Sequence, residues 1–248
     1  MSEPETVVHP DARTLAEATA GRVLDVLTAA QDERGEASVV LTGGGMGTAV
    51  LAAVAASPGR SAVDWSRVDV WWSDERFTEG GSAERNCVQA AGAVGGALAL
   101  DPDRVHCMGA ADDFASPEEA AEDYLRELAA AAGREGRDGS LPRFDLSLLG
   151  LGPDGHVASL FPGRPHVHEE RATVLGVRDS PKPPPQRVSM TLPLINAAER
   201  VWLLVAGAEK ARAVAAVRAG APVGRTPGAG VRGVQETLLL LARDAAGA

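Results

Sequence analysis

The stretch ASVVLTGGGMGTAVLAAVAA, Ala37–Ala56, decides the fold. Ala37–Leu41 is short and apolar but for one serine, which suits a strand buried on both faces. Glycines 43, 44, 45 and 47 follow and mark a tight turn. Thr48–Ala56 then reads as a helix, stopped by Pro58 and Gly59. Strand, turn and helix together form one unit of an α/β fold.

The same unit recurs on both sides. Upstream, Asp11–Ala30 is apolar at Leu15, Ala18, Val23, Val26 and Leu27, as an amphipathic helix would be. Downstream, VDVWW (Val68–Trp72) is a strand that leads into a polar loop, Ser73–Ser82, and a helix over Ala83–Ala91. Asp103–Met108 reads as a strand. Ser116, followed by Glu118 and Glu119, caps a helix running to Ala132. FDLSLL (Phe144–Leu149) is a strand that enters Gly150–Ala158, and Ala172–Val177 is another. Four prolines keep Asp179–Gln186 irregular. Arg187–Leu192 and Val201–Ala206 read as strands and Glu209–Ala219 as a helix. Ala221–Gly233 reads as a loop and Gln235–Ala246 as a last helix. The expected class is α/β: one domain over residues 1–248, with a mostly parallel sheet covered by helices on both faces. The layout is Rossmann-like but has no dinucleotide fingerprint. Ligands of such sheets sit beyond the carboxyl ends of the strands.

Composition limits the partners. The chain has 248 residues, 24 basic against 34 acidic side chains, and a formal net charge of −10. Only Lys182 and Lys210 are lysines. Polyanion binding needs a basic surface that releases counterions, so nucleic acid is not an expected partner. Docking on anionic lipid is disfavoured for the same reason, and no apolar run is long enough to span a bilayer. A single small anion is not excluded, because backbone amides and a few cations can hold one. Met1–Asp11 shows no secretory signal pattern, and Cys87 and Cys107 alone make neither a disulfide framework nor a zinc site. A cytoplasmic location follows as the expectation. The chain is expected to be a monomer, or at most a weak dimer.

Four segments could carry chemistry. The first, TGGGMGT (Thr42–Thr48), lets amides approach an anion at a helix start. It is neither a G-x-G-x-x-G fingerprint nor a P-loop. The second, SDERF (Ser73–Phe77), could orient a substrate or bind an anion, and reads equally as ion pairs on the surface. The third, GLGPDGHVASLFPG (Gly150–Gly163), places Asp154 two residues before His156, so that a carboxylate can orient an imidazole. Histidine titrates near neutrality and suits proton transfer. His166 and His168 lie nearby, but their spacing matches no standard zinc pattern, and no metal is expected. No nucleophile elbow occurs. The fourth set is cationic: Arg187 opens a strand, and Lys210 stands at a helix start, where it opposes the helix dipole unless an anion sits there.

Taken in order, LTGGG (Leu41–Gly45), WWSDERF (Trp71–Phe77), GLGPDGHVASLFPG (Gly150–Gly163), PKPPPQRVSMT (Pro181–Thr191) and VAGAEKA (Val205–Ala211) resemble the family of 6-phosphogluconolactonases and glucosamine-6-phosphate deaminases. The ending Ala158–Gly163 is similar to the lactonase branch. The first segment departs from the family pattern, since it lacks the usual Thr-Pro. The resemblance implies hydrolysis of 6-phospho-D-glucono-1,5-lactone with no cofactor and no metal. It implies His156 as general base, Asp154 orienting it, and Asp74 assisting or contacting sugar hydroxyls. Gly44, Gly45, Thr48, Arg76, Arg187 and Lys210 would hold the phosphate. A deaminase or isomerase acting on a related sugar phosphate is the alternative. A sugar-phosphate sensor is a third, but the first 35 residues offer no recognition helix.

Overall fold

In a computed structural model that describes residues 4–137 and 141–247, seven strands form one sheet. They are β1 (Glu5–His9), β2 (Ala37–Leu41), β3 (Val68–Trp72), β5 (Val105–His106), β6 (Leu146–Gly150), β9 (Arg200–Val205) and β10 (Glu236–Ala242). Their order is β1-β10-β9-β6-β2-β3-β5, and every pairing is parallel. A second sheet of three antiparallel strands sets β8 (Arg187–Met190) between β4 (Asp74–Arg76) and β7 (Val174–Val177). Six helices accompany them: α1 (Ala12–Arg34), α2 (Gly44–Ala56), α3 (Asn86–Val94), α4 (Pro117–Arg134), α5 (Leu192–Ile195) and α6 (Ala211–Arg218).

The period of two along each strand divides the core into two layers. Val40, Trp71, Leu149, Leu203 and Leu239 face Tyr124 and Leu128 of α4, the small sheet and Val214 of α6. Val39, Leu41, Trp72, Leu148, Trp202 and Leu240 face Leu15 and Leu27 of α1, Val50 and Val54 of α2, and Ala90 of α3. Both faces of the sheet are therefore covered, as the apolar strands require. Helix ends follow local chemistry. The Asp11 side chain accepts from Thr14 N at 2.7 Å and starts α1, which ends at Gly35 with φ of 80°. The Ser116 hydroxyl accepts from Glu119 N at 3.2 Å and starts α4.

Several expectations need correction. Residues 236–242 form a strand, not part of a last helix. Leu238–Ala242 is buried throughout and pairs with β9 on one side and β1 on the other. An unbroken apolar run has no polar face to place against water, so a two-sided position in a sheet suits it better than an amphipathic helix. β1 itself carries no sequence signal strong enough to separate it from a coil. α2 begins at Gly44, four residues before the expected start, so the glycines form its first turn. The loop Ser73–Ser82 contains β4, which exists because β8 supplies a partner. The helix expected over Ala83–Ala91 is shifted to α3.

The chain runs from β2 outward through β3 to β5, then returns to β6 and proceeds the other way through β9. The winding direction thus reverses between β2 and β6. That is where an open parallel sheet leaves a crevice beyond its strand ends.

Candidate active site

The loops leaving β2 and β6 splay apart at this reversal and are tied at their bases: Gly150 N donates to Thr42 Oγ1 at 3.2 Å. Above them lies a cavity of about 290 Å³. Its walls come from the loop after β2 (Thr42–Met46), from Asp74 and Arg76 of β4, and from Asn86 of α3. The β6 loop adds Gly150–Pro153, His156, Ala158 and Phe161. Lys182, Pro183, Arg187 and Lys210 complete it. A larger cavity of about 380 Å³ lies between α1, α2, α3 and the sheet, but no charged residue lines it, so it cannot orient a polar ligand.

The β6 loop folds back on itself to raise His156. Gly152 N donates to His156 O at 2.9 Å, and Gly155 N donates to Gly152 O at 2.9 Å. A Cβ at position 152 would lie 2.0 Å from the His156 ring and 2.6 Å from Asp154 Oδ1, so only glycine lets the pair sit there. His156 Nδ1 and Asp154 Oδ1 are 2.5 Å apart, and Phe161 supports the ring with centroids separated by 4.6 Å. With Nδ1–H donating to the carboxylate, Nε2 keeps the lone pair. Partial burial opposes charge on Asp154, but the hydrogen bond from His156 and its electrostatic pull, with Lys182 nearby, bring its pKa down to about 2. Asp154 is not itself a wall of the cavity; it holds His156 from behind.

Ser73, Asp74 and Glu75 are buried and Arg76 half-buried, and the segment divides its duties. Asp74 faces the cavity, and its Oδ2 accepts from Ser159 Oγ at 2.6 Å. Ser159 N in turn donates to Ser189 Oγ at 3.1 Å. Just before Ser159, Ala158 lines the cavity in the left-handed region with φ of 48°, a strained conformation for a residue with a Cβ. Arg76 faces the cavity, and its Nη1 donates to the Glu84 carbonyl. Glu75 points the other way, fully buried. Burial raises its pKa, against backbone N–H donors from Cys87, Asn86 and Arg76.

Arg76, Lys182, Arg187 and Lys210 line the same cavity. Arg187 is buried and held by carbonyls of the proline loop: Nε donates to Pro184 O at 2.8 Å, and Nη2 donates to Pro183 O at 2.9 Å and to Lys182 O at 3.2 Å. Its Nη1 makes no hydrogen bond among the described residues. Burial lowers the Arg187 pKa, against the pull of Asp74. Lys210 caps α6, and burial lowers its pKa against the pull of Glu209, with Lys182 adding to the shift. Neither lysine forms an ion pair among the described residues. With the leading amides of α2, free of intrahelical partners, these side chains give the cavity groups of the kind that can hold an anion.

Of the expected residues, His156, Asp74, Gly44, Gly45, Arg76, Arg187 and Lys210 line the cavity, and Asp154 supports it. Thr48 is not brought there. Because α2 begins at Gly44, Thr48 lies in its second turn, and Thr42, the residue that follows β2, lines the cavity instead. Asn86 and Ser159 were not singled out. Ser159 stands inside the β6-loop motif, whereas Asn86 carries no local signal.

Several known proteins resemble this chain. A family model described as glucosamine-6-phosphate isomerases/6-phosphogluconolactonase matches residues 10–240. A curated 6-phosphogluconolactonase of Streptomyces coelicolor is 52% identical over 245 residues, which cover 98% of this chain and 94% of the relative. The 6-phosphogluconolactonase of Mycobacterium tuberculosis is 43% identical over 240 residues, 96% of each chain. Among solved structures, 6-phosphogluconolactonase from Trypanosoma cruzi superposes with a TM-score of 0.84 at 24% identity, covering 99% of this chain and 97% of that one, and shares its fold.

Proposed function

Because the chain belongs to the glucosamine-6-phosphate isomerase/6-phosphogluconolactonase family, we propose that it hydrolyses 6-phospho-D-glucono-1,5-lactone to 6-phospho-D-gluconate. The observation that carries this reading is a carboxylate-held imidazole lining the same cavity as a group of cations and helix-start amides. His156 Nε2 takes a proton from water as the water attacks the lactone carbonyl carbon. The tetrahedral intermediate collapses, the bond from that carbon to the ring oxygen breaks, and the imidazolium returns the proton to the departing oxygen. A positioned base of this kind contributes typically about 10²–10⁴-fold. Asp154 fixes the tautomer and balances the imidazolium. The side chains supply this acid–base chemistry by themselves, without metal or nucleotide.

The 6-phosphate would rest on the amides of Gly44 and Gly45, with Arg76, Lys182, Arg187 and Lys210 around it. Binding this remote group positions the reacting ester. Asp74, fixed by Ser159 and buried beside the cavity, would accept from sugar hydroxyls.

A coupled assay tests the reading. Glucose-6-phosphate dehydrogenase generates the lactone, and 6-phosphogluconate is followed against the spontaneous rate. Acceleration well above that rate is expected. Release of ammonia from glucosamine 6-phosphate, with no effect on the lactone, would favour the deaminase branch instead.

A further inference from the structure

We propose that Glu75 is a positioning residue that holds the two walls of the crevice in register through Asn86. The proposal rests on the lactonase reading for its kinetic form. Glu75 is 0% exposed and is not a wall of the cavity. Its Oε1 accepts from Asn86 N at 2.6 Å and from Arg76 N at 2.8 Å, and its Oε2 accepts from Cys87 N at 2.9 Å. Asn86 and Cys87 are the first two residues of α3, whose leading N–H groups have no partner inside the helix. The carboxylate therefore fixes both the start of α3 and the backbone of a cavity arginine.

What α3 then presents is Asn86, 3% exposed. Its Nδ2 donates to Asp74 O at 2.8 Å. Its Oδ1 lies 1.9 Å from where a Cβ of Gly43 would be, so the amide is wedged against the residue that caps α2. One side chain thus bridges Asp74 on one wall and the anion-binding turn on the other, and Glu75 keeps it in place. The role demands a group that only accepts: three N–H donors share two oxygens, and a glutamine at 75 would turn an NH₂ towards one of them. The charge itself is balanced by Arg85, also buried, whose Nε lies 3.9 Å from Glu75 Oε2.

The test compares Glu75→Gln, Asn86→Ser and the double variant with the unaltered protein. KM for the phosphorylated lactone should rise about tenfold in each single variant, as for loss of a charge-assisted contact, while kcat changes far less. The inhibition constant for inorganic phosphate should rise by the same factor. The double variant should be little worse than either single one, because both act along one path. Unchanged KM and phosphate affinity, or effects that multiply in the double variant, overturn the proposal. A purely structural role would lower the melting temperature and the active fraction without moving either constant. If Glu75→Gln does not fold, Gly43→Ala serves in its place, since its Cβ must displace Asn86 Oδ1 and should reproduce Asn86→Ser. If the unaltered protein fails to accelerate lactone hydrolysis, the functional reading fails. Direct titration with inorganic phosphate then still decides whether Glu75 and Asn86 shape the anion end.

Discussion

Among the described residues, two histidine–carboxylate groupings spend the imidazole in opposite ways. His156 gives one nitrogen to Asp154 and turns the other towards a cavity. His106, on the edge strand β5, has none to spare. Its Nε2 meets Asp69 Oδ1 at 2.9 Å, its Nδ1 meets Glu127 Oε2 at 3.2 Å, and its ring stacks on Trp71 with centroids 3.7 Å apart. Arg104 and Arg134 pair with the same aspartate at 2.7 and 3.3 Å. Burial works against charge on His106, but the hydrogen bonds from its ring to Asp69 and Glu127 outweigh it and raise the pKa. A carboxylate partner therefore does not make a histidine catalytic. What sets His156 apart is a second nitrogen left free beside a cavity.

The sharpest way to break this contrast is His156→Ala. Turnover should fall by about 10²–10⁴-fold with little change in KM, read in the coupled assay. Near-normal turnover would remove His156 from the chemistry. Asp154→Asn should lower kcat by about 10²-fold, the lower end of what a positioned base contributes, since an amide can turn its NH₂ to the ring, favour the wrong tautomer and no longer balance the imidazolium. A rise in KM alone would instead place Asp154 on the substrate. At the cationic end, Lys210→Ala and Arg187→Ala should each raise KM by roughly tenfold and spare kcat, in keeping with charge-assisted hydrogen bonds to a phosphate. Unchanged KM in both would mean that the anion sits elsewhere.

His106→Gln is the counterpart at the structural grouping. It should cost about 1–3 kcal/mol in denaturant unfolding and leave kcat unchanged. Its pH dependence is the smallest and most specific effect. A folded-state pKa above the ordinary value of about 6.5 gives stability that is complete below that value and is lost as pH rises through the raised one. The stability gap between the unaltered protein and His106→Gln should therefore narrow on the alkaline side. Asp154 behaves in the opposite sense. With its pKa at about 2, its contribution is present above the usual carboxylate range and fades only as pH falls towards 2. A gap for His106→Gln that widened with pH would contradict the raised pKa.

The contrast also shows where local sequence is informative. β2 and β3 keep the boundaries read from Ala37–Leu41 and Val68–Trp72, because short apolar runs flanked by turn residues leave little other choice. The β6 loop was legible because its glycines, carboxylate and imidazole lie within a few residues of one another. β10 was not: a leucine run has no period, and its state is decided by β9 and β1, which are remote in sequence. Glu75 and Asn86 escaped for the same reason, since their partnership is made by the start of a helix on a separate element. Thr48 was misplaced by a helix that starts four residues early, which carried it from the turn into the helix body.

The pairing of β1 with β10 bears on how the chain is made. On the ribosome β1 emerges before every other strand, while the strand that completes its ladder emerges after all of them. The central strands β2, β3 and β6 can associate during synthesis, but β10 must enter between β9 and the waiting β1 once they are in place. Closure of that edge is the long-range, late event of folding, and β1, which has no strand but β10 to pair with, is the one left unpaired longest in a nascent chain.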